Sequence, residues 1–302
     1  MKLGYACINL TLFNSKEKVT SNRGMIKKTF LDKGVKYAGD LALKNVIDLF
    51  KIIKWNLENK IYFFRVSSDI FPWSSHYKIS DLPQYKEIRE ILNDIGKFSI
   101  DNNMRLTFHP GPFNVLVSPN KTVVENTIKD LCNHGEIFDM MGLEQSNYNK
   151  INIHCNGVYG DKTSAIERFC SNFKKLPVCV KNRLTVENDD KESMYSVKDL
   201  IKIYEKIKIP IVFDYHHHKF CNGGLIEKEA LELAISTWPS GIKPVVHYSE
   251  SKAKHEKNSS IKPQAHSDYI KSLPNLYGND LDIMIEAKAK ELSLLPYNSI
   301  SK

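Results

Sequence analysis

Residues 209–218 read IPIVFDYHHH, a short β-branched and aromatic run that ends on a carboxylate and then on three imidazoles. Its apolar residues are nearly continuous. A strand with one wet face would alternate, so the run predicts a parallel strand covered on both sides. The same design recurs outward in both directions. RLTVEN (183–188), KINIHC (150–155) and MRLTFH (104–109) precede it, KPVVHYS (243–249) and DLDIMIEAK (280–288) follow it, and KLGYACINL (2–10) and KIYFFRVSS (60–68) open the chain. Eight candidate strands result. Most are separated by segments with apolar residues at helical spacing: Leu43, Val46, Ile47, Phe50 and Ile53; Ile88, Ile91, Leu92 and Ile95; Val197, Leu200, Ile201 and Tyr204. Alternating strands and helices over 302 residues predict a single (β/α)8 TIM-barrel domain spanning 1–302.

An open doubly wound sheet is the other architecture with this alternation. Its nucleotide-binding versions need G-x-G-x-x-G or G-x-x-x-x-G-K-[ST], and neither occurs here. No nucleotide cofactor is therefore expected. The polar, basic stretch 249–263 (SESKAKHEKNSSIKP) reads as a long loop over the barrel mouth. With 42% hydrophobic and 26% charged residues the composition is that of a folded globular protein. No signal-peptide or membrane-span pattern is seen, and the six cysteines form no C-x-x-C pair, so a reducing, intracellular setting (cytoplasmic in a prokaryote, near the nucleoid) and no membrane are expected. Forty-three Lys and Arg against 35 Asp and Glu give a formal charge of +8. Such a balance draws in polyanions, although lysines scattered over helix faces usually mean only a solvated surface.

The chemical signal is positional. His109, His154, Glu187, Asp214, His247 and Glu286 each stand at the end of one of six consecutive strands. In a barrel those ends converge on one face. Taken singly, such a histidine is usually a hydrogen-bonded loop residue, and Glu187 or Asp214 could be a helix N-cap. Together, buried carboxylates beside imidazoles call for divalent cations as charge compensation. Mixed nitrogen and oxygen ligation suits Zn or Mn better than a Ca or dedicated Mg cage. Further candidates are His216, His217 and His218, of which not all can be ligands, then His266, Asp268 and His76; His134 and His255 read as surface residues.

The blocks LGYACINLTL, TSNR, Trp55–Asn56, FFRVSSDIFPWSSH, LTFHPG, VENDD, FDYHHH, HYSE, AHSDYI and IMIEAKAKE resemble those of the UV damage endonucleases, in the same order and nearly end to end. The resemblance implies a TIM barrel with a divalent cluster of two or three ions, usually Mn²⁺ with Zn²⁺, Mg²⁺ or Co²⁺ as options. It implies incision of double-stranded DNA immediately 5′ of UV photoproducts, and also at abasic sites, leaving 3′-hydroxyl and 5′-phosphate ends. It further implies that Glu187 bridges a metal held by His109 and His154 and one held by Asp214, His247 and Glu286. A third metal would use His217 and His266. Glu187, His76, His109 and His247 become the catalytic candidates, with His76 near the scissile phosphate. Tyr5 and Asn9 resemble lesion-pocket residues. Asp268, His216 and Lys243 are candidates for supporting the ligands. A monomer is expected.

The chain departs from the family at two places. After HPG the family presents a Gln and an aromatic that probe the duplex, whereas this chain has Pro112 and Phe113; Phe113 can still wedge and stack, but Pro112 lacks the amide. A family lysine two residues before His247 is here Val245, and Lys243 lies two positions further back. Three other readings stand beside this one: an abasic-site nuclease of the endonuclease IV kind, a metal-dependent sugar isomerase, and a damage-binding protein without chemistry.

Overall fold

The structure is a computed structural model and describes residues 1–300. Its eight strands are β1 Leu3–Ala6, β2 Phe63–Arg65, β3 Arg105–Thr107, β4 Ile151–Ile153, β5 Leu184–Glu187, β6 Ile211–Asp214, β7 Val245–Tyr248 and β8 Asp282–Ile285. They pair in parallel in the order β3-β2-β1-β8-β7-β6-β5-β4. The two ends of this series meet at a single bridge between Phe108 and Ile151. There the Phe108 N–H donates to the Lys150 carbonyl and the Asn152 N–H to the Phe108 carbonyl, both at 2.9 Å. The sheet thus rolls into a (β/α)8 TIM barrel, as the strand pattern predicts.

Six long helices cover the outside: α1 Lys27–Glu58, α2 Tyr85–Asp101, α3 Lys121–Met140, α4 Lys162–Phe173, α5 Val197–Ile207 and α6 Glu227–Ile235. Their starts are chemically marked. Asp161 accepts from the Thr163 and Ser164 N–H groups ahead of α4, and Ser196 with Asp199 forms a capping box on α5. The helical periodicity holds with one slip, since Val46 and Ile53 are buried but Ile47 points outward. Gly34, at φ 65°, kinks α1 near its start, a conformation that suits glycine. Among the described residues eight full strand–helix pairs are not present: after β7 and β8 the only α-helical segments are Lys252–His255 and Glu291–Leu294. The basic loop contains the first of these and is tied back where Ser251 pairs antiparallel with His266.

Successive side chains of a strand point to opposite sides. On β8, Asp282 and Met284 therefore share the lumen side with Glu286 above them. Ala6, Phe63, Val212, Val245 and Met284 form a small apolar layer with Trp238, separate from the main core between strands and helices. Gly4 makes room for it, because a Cβ there would fall 2.6 Å from the Phe63 ring. Below the layer lies the Arg105–Asp282 ion pair, at 2.9 Å and almost fully buried. Above it lie the strand-end residues.

Three positions differ from the sequence expectation. His134 is a buried residue, its Nδ1 2.8 Å from the Asp130 carbonyl and its ring edge-on to Phe108 at 4.8 Å. His255 is half-buried against Glu250. Lys243 lies before the start of β7, at the opposite end of the barrel from the site, and pairs with Asp280 at 2.6 Å. It is therefore a floor residue, remote from the ligand positions. All six cysteines are free. Among the described residues no helix is long and apolar enough to cross a membrane.

Candidate metal centre

The six strand-end residues come together. Among the described residues, three sets of side chains bring donor atoms within 4.8 Å of one another: His109, His154 and Glu187; Glu187, Asp214 and His217; Asp214, His247 and Glu286. Glu187 joins the first two sets and Asp214 the second and third. Glu187 is the hub. His109 Nε2 lies 3.1 Å from its Oε2, His247 Nδ1 3.0 Å from the same atom, and His217 Nδ1 3.4 Å from Oε1. Asn152 donates its side-chain N–H to Glu187 Oε2 and is itself anchored by the Thr185 hydroxyl at 2.8 Å.

The histidines are oriented from behind. His109 Nδ1 donates to the Pro110 carbonyl at 3.2 Å and His217 Nδ1 to the Asn188 carbonyl at 2.9 Å. His154 Nδ1 is 3.0 Å from Asp189 Oδ1. His109 is thereby left with its Nε2 lone pair toward Glu187, the arrangement metal-binding imidazoles adopt, and His154 turns Nε2 to the same carboxylate at 3.8 Å, whereas His217 faces Glu187 with Nδ1 itself. His247 is turned the other way: its Nε2 faces Lys150 Nζ at 3.2 Å and its Nδ1 faces the carboxylates. Asp214 closes the turn Tyr215–His218 as its N-cap, accepting from the His217 N–H at 2.7 Å. The ordinary N-cap reading and the ligand reading thus hold for one residue, one oxygen serving each.

Burial and mutual charge dominate the electrostatics. Burial pushes the His109 imidazole down to about 4 and the Asp214 carboxyl up to about 7. Burial would also lower His154, but Glu187 and Asp189 hold it up to about 9. Glu187 stays well below the usual carboxylate range: burial opposes its charge, yet His247, His154 and His109 all face it. Burial likewise opposes the charge of Glu286, and the Arg65 guanidinium in contact with it keeps its carboxyl low.

Glu187 Oε1, Asp214 Oδ2 and His247 Nδ1 are buried without a hydrogen-bond partner. Buried polar atoms left unpaired are costly, and a charged oxygen more than most. The donor chemistry fits divalent cations, since carboxylate oxygens and imidazole nitrogens converge in overlapping sets with no thiolate among them.

Other candidates fall at different distances from this centre. His217 joins Glu187 and Asp214, whereas His266 stands aside, its ring 6.2 Å from that of His217 and 5.3 Å from that of His216. His216 is fully buried with Nε2 3.1 Å from the Gln264 carbonyl. Asp268 is exposed and faces Lys252 at 3.7 Å, so it supports no ligand here. His76 is exposed, bonded to Ser75 at 3.0 Å and packed on Trp73 and Phe30, outside all three sets. Tyr5 and Asn9 are fully buried: the Tyr5 hydroxyl donates to Asn56 at 2.7 Å and accepts from Asn9 at 2.8 Å, and Asn9 caps the turn Leu10–Phe13. In this arrangement they brace a loop and present no surface to a lesion. Phe113 is 88% exposed, with Pro112 exposed beside it, so neither side chain belongs to the core. Four residues were not anticipated: Arg65, Lys150, Asn152 and Asp189. Lys150 and Asn152 lie in the quoted strand KINIHC, but only Arg65 and Asp189 fall inside the family-like blocks, FFRVSS and VENDD, which could have marked them.

The fold and the strand-end sets define the class, a (β/α)8 barrel whose C-terminal mouth carries overlapping histidine and carboxylate groups that could hold metal ions. The family is narrower than the class. The chain belongs to the family described as UV-endonuclease UvdE, whose sequence pattern matches residues 1–299. It is 38% identical over 298 residues to a UV-damage endonuclease of Schizosaccharomyces pombe, covering 96% of this chain but 49% of that protein, about half its length. It is 36% identical over 299 residues to a UV DNA damage endonuclease of Clostridium perfringens, covering 98% of this chain and 69% of the relative. The crystal structure of SacUVDE superposes with a TM-score of 0.85 at 32% identity, covering 99% of this chain and 97% of that one.

Proposed function

We propose that this chain is a DNA repair endonuclease that cuts the backbone immediately 5′ of UV photoproducts, and at abasic sites, leaving 3′-hydroxyl and 5′-phosphate ends. The observation that carries the reading is the set of three donor groups sharing Glu187 and Asp214, with buried oxygens that no protein group satisfies, in a member of the UvdE family. Family membership favours it over an endonuclease IV type of enzyme or a sugar isomerase. Divalent ions in these sets, manganese first among them, would neutralise the scissile phosphate and lower the pKa of an attacking water.

The chain's own residues set the conditions for that chemistry. Glu187 and Asp214 fix the spacing of the sets. Pro110 and Asp189 hold the His109 and His154 rings from behind, so binding a cation at their Nε2 atoms needs little rearrangement. Phe113, exposed beside the mouth, is placed to enter a base stack already weakened by damage. His76 would meet the DNA backbone from the rim. The deciding experiment is incubation of UV-irradiated and untreated supercoiled DNA with manganese-loaded and EDTA-treated protein. Nicks confined to irradiated DNA with loaded protein are expected; equal nicking of both DNAs, or none, rejects the reading.

A further inference from the structure

A cavity of 760 Å³ opens beside the metal centre, between the turn Tyr215–His218 and the basic loop after β7. Lys219, Lys254, Lys257 and Lys271 line it, and all four are exposed. Among the described residues none of these four amines has a carboxylate, hydrogen-bond or ring partner. Neighbouring Lys252, by contrast, is matched to Glu256 and Asp268. The wall holds a single carboxylate, Glu250, against these four amines. Its Oε1 accepts from the Tyr248 hydroxyl at 3.1 Å and the Lys271 N–H at 3.0 Å, and its Oε2 faces His255. The rim therefore keeps a net positive charge, four amines against one carboxylate.

The inner wall is of another kind. His216 is fully buried, its Nε2 bonded to the Gln264 carbonyl, which leaves Nδ1 as a lone-pair acceptor with no partner. Phe220 packs edge-on against it at 5.2 Å. A ligand suited to both surfaces has anionic groups at its edge and a flat ring with N–H donors inside. Polynucleotides have this chemistry, and positive grooves with aromatic floors are how single strands are held. The cavity also leads to the cluster: His216 is 5.3 Å from His266, and His266 is 6.2 Å from the cluster residue His217.

We propose that this cavity holds a single-stranded stretch of the DNA next to the cut, its phosphates on the four lysines and one base against Phe220 and His216. The inference rests on the endonuclease reading but is tested separately from it. The full-length, manganese-loaded chain is titrated into labelled oligothymidylate and into irradiated duplex over a range of salt. Wild type is compared with Lys254→Glu/Lys257→Glu and with a control of equal charge change on the outer helices, Lys44→Glu/Lys97→Glu. The cavity variant should lose roughly tenfold or more in affinity and show a log–log salt slope flatter by about one to two, as expected when phosphate contacts are removed. Phe220→Ala should weaken oligothymidylate binding with the slope unchanged. Loss no greater than in the control pair overturns the proposal, as does competition by pyrophosphate as effective as by oligothymidylate, which would mark a small-anion site. Wild-type nicking of irradiated plasmid is scored in parallel. Without nicking, cavity-dependent binding would leave the cavity standing and remove the endonuclease; nicking with no cavity effect would do the reverse.

Discussion

The two ends of the barrel lumen both bury charge, and they solve the problem differently. At the floor, Arg105 donates to Asp282 at 2.9 Å and to the carbonyls of Lys243, Tyr148 and Asn147 at 2.8, 2.7 and 3.2 Å. Asp282 also accepts from the Lys2 N–H at 2.8 Å. That cluster is complete within the protein. At the mouth, Glu187 Oε1 and Asp214 Oδ2 are as deeply buried, yet neither accepts a hydrogen bond. A satisfied buried pair is a structural device, whereas an unsatisfied buried carboxylate set marks a place built for something the chain does not supply.

The sharpest way to break this contrast is to remove the hub. Glu187→Gln should lower nicking of irradiated DNA by about a thousandfold or more, which is about 4 kcal/mol or more of transition-state stabilisation. Bound manganese should fall with it while the denaturation midpoint of metal-free protein stays near wild type. Full activity at wild-type metal content would strip Glu187 of its role. The floor should respond in the opposite way. Arg105→Met leaves Asp282 as an unpaired buried charge, costing about 3–5 kcal/mol in denaturant stability, with metal stoichiometry retained in the folded fraction. Loss of metal without loss of stability would mean the two ends are not separate.

Adding the cation probes the mouth alone. Manganese at a hundred times its dissociation constant should stabilise wild type by about 2.7 kcal/mol, a gain that Glu187→Gln should largely lose. Unchanged unfolding of wild type across a manganese titration would contradict the cation reading of the orphaned oxygens. The smallest effect is expected above both clusters. Phe113→Ala should reduce the preference for irradiated over intact duplex several-fold, about 1 kcal/mol, leaving stability and metal content alone. An unaltered preference at matched salt and metal removes Phe113 from recognition.

What could be read in the sequence follows the same vertical division. All eight strands show as β-branched and aromatic runs, and the mouth shows because six of those runs stop on a histidine or carboxylate that strands rarely bury. The floor and the lateral supports do not show. Lys150 and Asn152 matter only through neighbours on other strands, His247 and Glu187, and a linear pattern carries no information about which strands face one another across a lumen. Lys243 misled for a related reason. Strand facing is preserved at even spacing, but at about 3.3 Å per residue four positions before His247 is about 13 Å lower, among the floor groups. His134 looked like a surface residue because a polar side chain on an amphipathic helix usually is; here Phe108 and the Asp130 carbonyl enclose it. The seventh and eighth crossovers carry no long helix, which a count of strands could not reveal.

The β3–β4 junction bears on how the ring resists opening. Every other pair of neighbouring strands is joined by a ladder of at least two residue pairs, but here one bridge at Phe108 closes the circle. It is reinforced from below by Arg105 reaching Asn147 and Tyr148 and by Asn149 reaching the Leu106 carbonyl at 3.0 Å. At the upper rim the gap is flanked by His109 on one side and His154 on the other, their rings 5.3 Å apart. A cation gripped by both would act as a clasp on this hoop, tying catalytic readiness to circumferential integrity. Breathing along the junction would then be slowest in the loaded protein, and the amide hydrogens of Phe108 and Asn152 would exchange with solvent more slowly once the clasp is shut.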